Sequence, residues 1–262
     1  MSLRQRKKIQ EMPRPINIFS RLSDGAREWL LFLTSPLLLI LAFPKTDIWI
    51  LSWIGFIPFF IVLNNTPKLS GSILKAYVCG FVFFLGTLYW LIHVTLFGML
   101  LMVTYLSLFF GIFGAVSWWA RRYSFLKRLF LLPSVWVVLE FIRAHFMTGF
   151  GWGTLGYSQY KNILMIQIAD LTGVYGVSFV LMFVNYWLQE IVRQKTVEHK
   201  VNTDKEFIFA GLCVLGMLTA VIGYGFWSRQ DATPADQSRI ALIQSNIPQE
   251  LKWQKSAWPL MA

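Results

Sequence analysis

The sequence predicts an all-α polytopic membrane bundle of about seven transmembrane helices, with the N-terminus inside. Three observations lead there. Of the 262 residues, 56% are hydrophobic and only 14% are charged, too little polar material to cover a soluble domain of this length. The apolar residues fall in long runs separated by short charged stretches, and the mean hydropathy is +0.53. Lysine and arginine are shared unevenly among the connections, in alternation.

The runs lie at 28–43, 47–63, 72–92, 96–119, 127–146, 171–192 and 207–227. Each approaches the length that crosses about 30 Å of hydrocarbon, the first two being short. A basic head, 1–27, carries Arg4, Arg6, Lys7, Lys8, Arg14, Arg21 and Arg27. Alternate connections then hold Lys68 and Lys75; Arg121, Arg122, Lys127 and Arg128; and Arg193, Lys195, Lys200 and Lys205. The intervening ones hold only Lys45, Arg143 and Lys161, so the positive-inside rule places the head in the cytoplasm and the tail outside. The net charge of +11 is therefore a topology signal, and no nucleic-acid partner is expected. No small-residue cleavage site follows the first run, which meets Phe43 and Pro44 and re-enters lipid, so the first span is read as uncleaved.

The connection between the fifth and sixth runs is the most unusual stretch. Residues 147–160 read MTGFGWGTLGYSQY, with four glycines among aromatics and small hydroxyls. Such backbone at a membrane surface must be covered by protein or line a wet cavity, because its N–H and C=O groups need partners. Trp152, Tyr157 and Tyr160 suit the interface, either as an aromatic belt or as the lip of a lipid-binding cleft. Trp152 and Tyr157 are the substrate-binding candidates here.

Just upstream, Glu140 is the one carboxylate deep inside a predicted span, and Arg143 follows three residues later on the same helix face. The expected role is a structural ion pair that positions the fifth helix and its loop. Cys79 and Cys213 lie within spans and read as small apolar residues. His93, His145 and His199 are scattered, so no metal site and no cofactor is expected.

After the seventh run comes a polar linker, 228–238, and then Arg239-Ile240-Ala241-Leu242-Ile243-Gln244 with Ser245-Asn246-Ile247-Pro248, which reads as a β-strand and turn. One strand cannot stand alone, so 239–262 reads as the incomplete start of an outer-face domain.

Two stretches resemble the apolipoprotein N-acyltransferase family. Pro133, Trp136, Glu140, Arg143, Gly149, Phe150, Trp152, Gly156, Tyr157, Gln159, Gln167, Gly173, Tyr175, Gly176, Ser178 and Phe179 look like its P-x-x-W-x-x-x-E-x-x-R, G-F-P-W, G-Y and G-V-Y-G block, with Gly151 standing where the family usually has proline. Ala241 to Gln244, Asn246 to Gln249, Lys252 and Trp253 resemble the first strand of its nitrilase-like domain. Phe43, Pro44, Trp49, Trp53 and Pro58 fit its early helices.

The resemblance implies an α/β nitrilase-like domain on the periplasmic side of the bacterial inner membrane. It also implies transfer of a fatty acyl group from phospholipid to the diacylglyceryl cysteine of an apolipoprotein. The family's glutamate, lysine and cysteine lie downstream of the matched tail, so no catalytic residue is expected among these 262. These residues alone are then expected to be inactive, and a separately encoded nitrilase-like chain is a candidate partner. Trp253 matches the family's tryptophan near the pocket mouth and joins Trp152 and Tyr157 as a substrate-contact candidate. A non-catalytic lipid or lipoprotein scaffold and a transporter are the alternatives.

Overall fold

The computed structural model describes residues 24–195, 204–230 and 241–242. The basic head, nearly all of the predicted strand, His199 and Trp253 lie outside them. The helices are α1 (Asp24–Ala42), α2 (Ile57–Asn65), α3 (Leu69–Thr87), α4 (Leu96–Ala120), α5 (Phe125–His145), the short α6 (Ile163–Ile166), α7 (Ala169–Arg193) and α8 (Lys205–Gln230). Short 3-10 turns occupy Trp49–Trp53, Tyr89–His93 and Leu155–Gln159. Among the described residues four helices are long and apolar enough to cross a membrane: Leu69–Thr87, Leu96–Ala120, Ala169–Arg193 and Lys205–Arg229. Trp29–Ala42 and Trp49–Asn65 are shorter apolar segments. Helix α5 carries Lys127, Arg128, Glu140 and Arg143 and is less apolar for that reason.

Three boundaries differ from the sequence expectation. The run 47–63 is not one continuous helix, because Gly55 and Pro58 divide it into the 3-10 turn and α2, Pro58 standing in the first turn of α2 where its missing N–H costs nothing. The run 72–92 ends as α-helix at Thr87 and continues as 3-10. The predicted linker starts inside α8, which runs through Gln230.

The break before α2 frees backbone groups within an apolar layer, and α7 supplies their partners. Asn185 accepts from Phe56 N at 2.9 Å and donates to Ser52 O at 2.8 Å. Further along, Asn64 donates to Gln189 at 3.2 Å, and Ser35 of α1 donates to Gly55 O. Polar side chains at a broken helix thus replace the lost ladder.

Helices α3 and α4 form the tightest pair. A Cβ on Gly114 would lie 2.6 Å from both Ala76 Cβ and Ser72 O, and Ser72 Oγ donates to Gly114 O at 2.8 Å. Small residues let the backbones approach where lipid provides no hydrophobic drive. Trp136 of α5 packs edge-on against Phe56, Phe110 and Phe113, with ring centroids 4.8, 4.9 and 5.2 Å away, and joins α2, α4 and α5 in one aromatic core.

Contacts among the described connections fall in two groups. At one end Arg121 donates to Leu63 O, Trp118 to Pro67 O, and Glu206 accepts from Leu126 N. At the other, Lys161 and Tyr160 meet Asp47, Lys45 lies over Tyr89, and Ser228 meets Gln167.

Candidate functional site: the loop between α5 and α7

The loop that leaves α5 folds back onto it. Phe150 N donates to Arg143 O at 2.9 Å, and Gly149 adopts φ +68. A Cβ there would stand 2.2 Å from Ala144 O, so glycine is required by both conformation and space. Gly153, at φ +73, lies against Phe84, and a Cβ would come within 3.1 Å of that ring.

Arg143 holds the loop from inside. Its Nη1 donates to Phe150 O at 2.9 Å and to Trp152 O at 2.6 Å, and its Nη2 to Thr154 Oγ1 at 3.0 Å. Thr154 Oγ1 in turn donates to Gly151 O at 2.6 Å. One helical turn earlier, Glu140 Oε1 accepts from Leu155 N at 2.7 Å. Both side chains are buried. They were expected to pair directly with each other. Instead no N···O contact within salt-bridge range joins them: Arg143 donates to loop oxygens and Glu140 Oε1 accepts from Leu155 N, although their charges interact through space. The pair positions the loop by gripping it.

Beyond this clamp the chain is tied to α7 and to the connection between α1 and α2. Gly156 N donates to Ser178 Oγ at 2.9 Å. Gln159 is fully engaged: it accepts from Trp53 Nε1 at 3.0 Å and donates to Trp49 O at 3.0 Å and Ser52 Oγ at 2.7 Å. At the surface Asp47 accepts from Tyr160 and Lys161, each at 2.7 Å. Those two donors hold the Asp47 carboxyl below its usual range, Lys161 contributing most, and Asp47 raises the Lys161 ammonium in return.

The clamp presents Trp152 outward. Its ring, half-exposed, lies 4.6 Å from that of Trp90 and 5.5 Å from that of Phe150, forming an aromatic lip between two connections. Tyr157, also half-exposed, stands on the following 3-10 turn without contact to that lip among the ring contacts. Beside the loop, the first turns of α4 (Gly98, Leu101, Met102, Tyr105) and residues 146–150 enclose an apolar groove of about 340 Å³. Sequence reasoning missed Trp90, Thr154 and Asp47. Trp90 had a signal, an aromatic at the end of a span, but nothing in the chain order ties it to Trp152.

The remaining candidates lie away from this lip. His145 Nδ1–H donates to Phe141 O (2.8 Å), and the ring stacks on Phe141. Cys79 is buried in α3 and Cys213 is partly buried in α8. Neither cysteine stands at the loop.

A protein named apolipoprotein N-acyltransferase from Geobacter metallireducens is 34% identical over 243 residues, which cover 88% of this chain and 45% of that protein. Proteins of the same name from Neisseria meningitidis serogroup B and Chlorobaculum tepidum are 29% and 28% identical, over 81% and 87% of this chain and 42% and 43% of their own lengths. The chain thus spans less than half the length of these curated relatives. The family model described as the apolipoprotein N-acyltransferase N-terminal domain matches residues 35–187, most of the helical bundle and all of the clamped loop, so the chain belongs to that family.

Proposed function

We propose that this chain is the membrane part of an apolipoprotein N-acyltransferase. In this reading the bundle crosses the bacterial inner membrane seven times with its tail in the periplasm. It holds a phospholipid acyl donor and a diacylglyceryl apolipoprotein acceptor at its outer face. The observation that carries the reading is the clamped loop: buried Arg143 and Glu140 fix the backbone of 150–155, and the Trp152–Trp90 lip stands next to an apolar groove.

Such a site contributes orientation. Two lipid substrates must meet at the bilayer surface with their head groups aligned, and a rigid rim at that depth lowers the cost of bringing them together. Amphipathic rings suit the work, since an acyl stem and a polar head group meet the same side chain there. The acyl transfer itself belongs to a nitrilase-like domain, on a continuation of the chain or on a separate one, with Trp253 near its mouth.

The test is an acyl-transfer assay in phospholipid micelles with a diacylglyceryl-cysteine peptide as acceptor, for the chain alone and then with a nitrilase-like partner. Transfer only with the partner supports the reading. Transfer by the chain alone, or none in either case, overturns it.

A further inference from the structure

Among the described residues, the end of the bundle that carries the clamped loop has four cationic side chains: Lys45, Arg143, Lys161 and Arg229. Arg143 is buried and gives its N–H groups to Phe150 O, Trp152 O and Thr154 Oγ1. Lys161 Nζ stands 2.7 Å from Asp47 Oδ2. Arg229 lies in the last turn of α8, where the neighbouring Ser228 meets Gln167 ahead of α7. Lys45 is exposed, and its ammonium faces a ring, 4.3 Å from the centroid of Tyr89. Asp47, the carboxylate closest to it in the chain, is already taken, with Oδ1 accepting from Tyr160 and Oδ2 from Lys161.

The turn that carries Lys45 is firmly set. Lys45 and Asp47 both hold left-handed backbone, φ +95 and +55, which is uncommon for residues with a Cβ. Asp47 N donates to Phe43 O at 3.0 Å and Ile48 N to Leu41 O at 3.1 Å, and the Asp47 latch fastens the turn to 160–161. Such a conformation persists where the surrounding contacts over-determine it, and it fixes the direction in which Lys45 leaves the chain. That direction leads to the lip. Tyr89 immediately precedes Trp90, their Cα atoms about 3.8 Å apart, and Trp90 pairs with Trp152. The ring covers one side of the ammonium and leaves N–H donors for an oxyanion. The same two connections expose Ile48, Ile50, Ile92 and Val94. One cation in an apolar and aromatic rim fits an amphiphile with a phosphate in its head group better than a free anion.

We propose that Lys45 is a phosphate-binding residue of the lip: its ammonium, held at the Tyr89 ring, receives the phosphodiester of a phospholipid whose chains lie along the aromatic rim. The choice of phospholipid rests on the acyltransferase reading. A diacylglyceryl cysteine carries glycerol and acyl chains but no phosphate, so this cation distinguishes the acyl donor from the acceptor at a rim that serves both.

The experiment labels the full chain with 5-fluorotryptophan in maltoside micelles and follows the Trp152 fluorine signal, assigned with Trp152→Phe. Phosphatidylglycerol, diacylglycerol with the same acyl chains, and inorganic phosphate are titrated separately. Lys45→Met is expected to weaken phosphatidylglycerol roughly three- to tenfold, while Lys45→Arg, which keeps the charge, stays within roughly twofold of the parent. Diacylglycerol binds all three alike, and inorganic phosphate leaves the signal in place. Salt gives a second reading on the unaltered chain, since it weakens phosphatidylglycerol and not diacylglycerol. Equal phosphatidylglycerol affinity in the parent and in Lys45→Met overturns the assignment and leaves the lip as a lipid site. A Trp152 signal that neither lipid moves overturns both the assignment and the lipid-holding role of the lip. A shift by inorganic phosphate equal to that by phosphatidylglycerol makes this a free-anion site and overturns the lipid assignment.

Discussion

Asn185 stands opposite the break in the second apolar segment, its Oδ1 on Phe56 N at 2.9 Å and its Nδ2 on Ser52 O at 2.8 Å. One amide side chain thereby serves a backbone donor and a backbone acceptor that no helix ladder reaches. Asn185→Leu orphans both, at about 1–3 kcal/mol each, and so is expected to cost about 2–6 kcal/mol. Thermal unfolding in detergent reads this as a lowered Tm, whereas a Tm like that of the parent would mean that other groups take over the break.

Arg143 reaches three acceptors on one loop, and a lysine ammonium cannot span them in the same plane. Arg143→Lys should leave the helical content unchanged while residues 150–155 open more often. Bonds to a charged group contribute about 1.5–3 kcal/mol, so loss of even one predicts amide exchange roughly tenfold faster across that stretch. Exchange confined to the parent rate would show that Glu140 and Ser178 suffice to hold the loop.

Gly114 leaves no room for a methyl group between α3 and α4, with Ala76 Cβ and Ser72 O both 2.6 Å from where it would sit. Neither neighbour is the end of a flexible side chain, so Gly114→Ala must push the helices apart and weaken the Ser72 Oγ bond to Gly114 O. Overpacking of this kind costs about 1–3 kcal/mol. The measurement is again Tm, with Gly216→Ala as the control, because nothing lies within 4 Å of a Cβ at that position.

The latch of Asp47 with Tyr160 and Lys161 titrates at both edges. The Asp47 carboxyl is lowered in the folded chain, chiefly by Lys161, so its contribution is present above the unfolded value of about 3.9 and is lost as pH falls through the folded value. The Lys161 ammonium is raised, so its contribution is present below about 10.4 and is lost as pH rises through the folded value. The protection factors of the amides at 43–48 and 159–162, taken against each amide's intrinsic exchange rate at the same pH, should be highest between these limits. Asp47→Asn should abolish the acid limb, and an acid limb that survives would assign it to another carboxylate.

The bundle was legible in the chain because hydropathy and basic residues are one-dimensional signals. The runs at 96–119 and 171–192 became α4 and α7 within two residues at each end. The break at 54–56 was not legible from hydropathy, since Gly55 and Pro58 only matter once Asn185, 129 positions from Phe56, accepts the freed N–H. For the site, the spacing put Glu140 and Arg143 on one helix face, while their hydrogen bonds go to the loop. An i,i+3 pair on one face can bind to itself or to a third body, and here the glycine-rich loop, returning through Gly149 at φ +68, offers three carbonyl or hydroxyl oxygens and one N–H. That competition is decided in three dimensions.

Trp90 and Trp152 come from different connections and lie 4.6 Å apart, tilted by 52°. An aromatic pair of this kind contributes about 0.5–1.5 kcal/mol beyond its buried area, enough to bias one rotamer of the half-exposed Trp152 by several-fold. If the lip orients lipid substrate, Trp90 acts through Trp152. In the acyltransferase assembled with its nitrilase-like part, Trp90→Ala is then expected to lower kcat/KM by roughly up to tenfold, within what 1.5 kcal/mol allows, with Tm nearly unchanged. Trp152→Ala should cost at least as much, and the double variant should be no worse than Trp152→Ala alone, because nothing remains for Trp90 to position. Additive losses would mean that each ring touches substrate by itself, and a fall in Tm without a change in kcat/KM would make the pair a purely structural contact between the two connections.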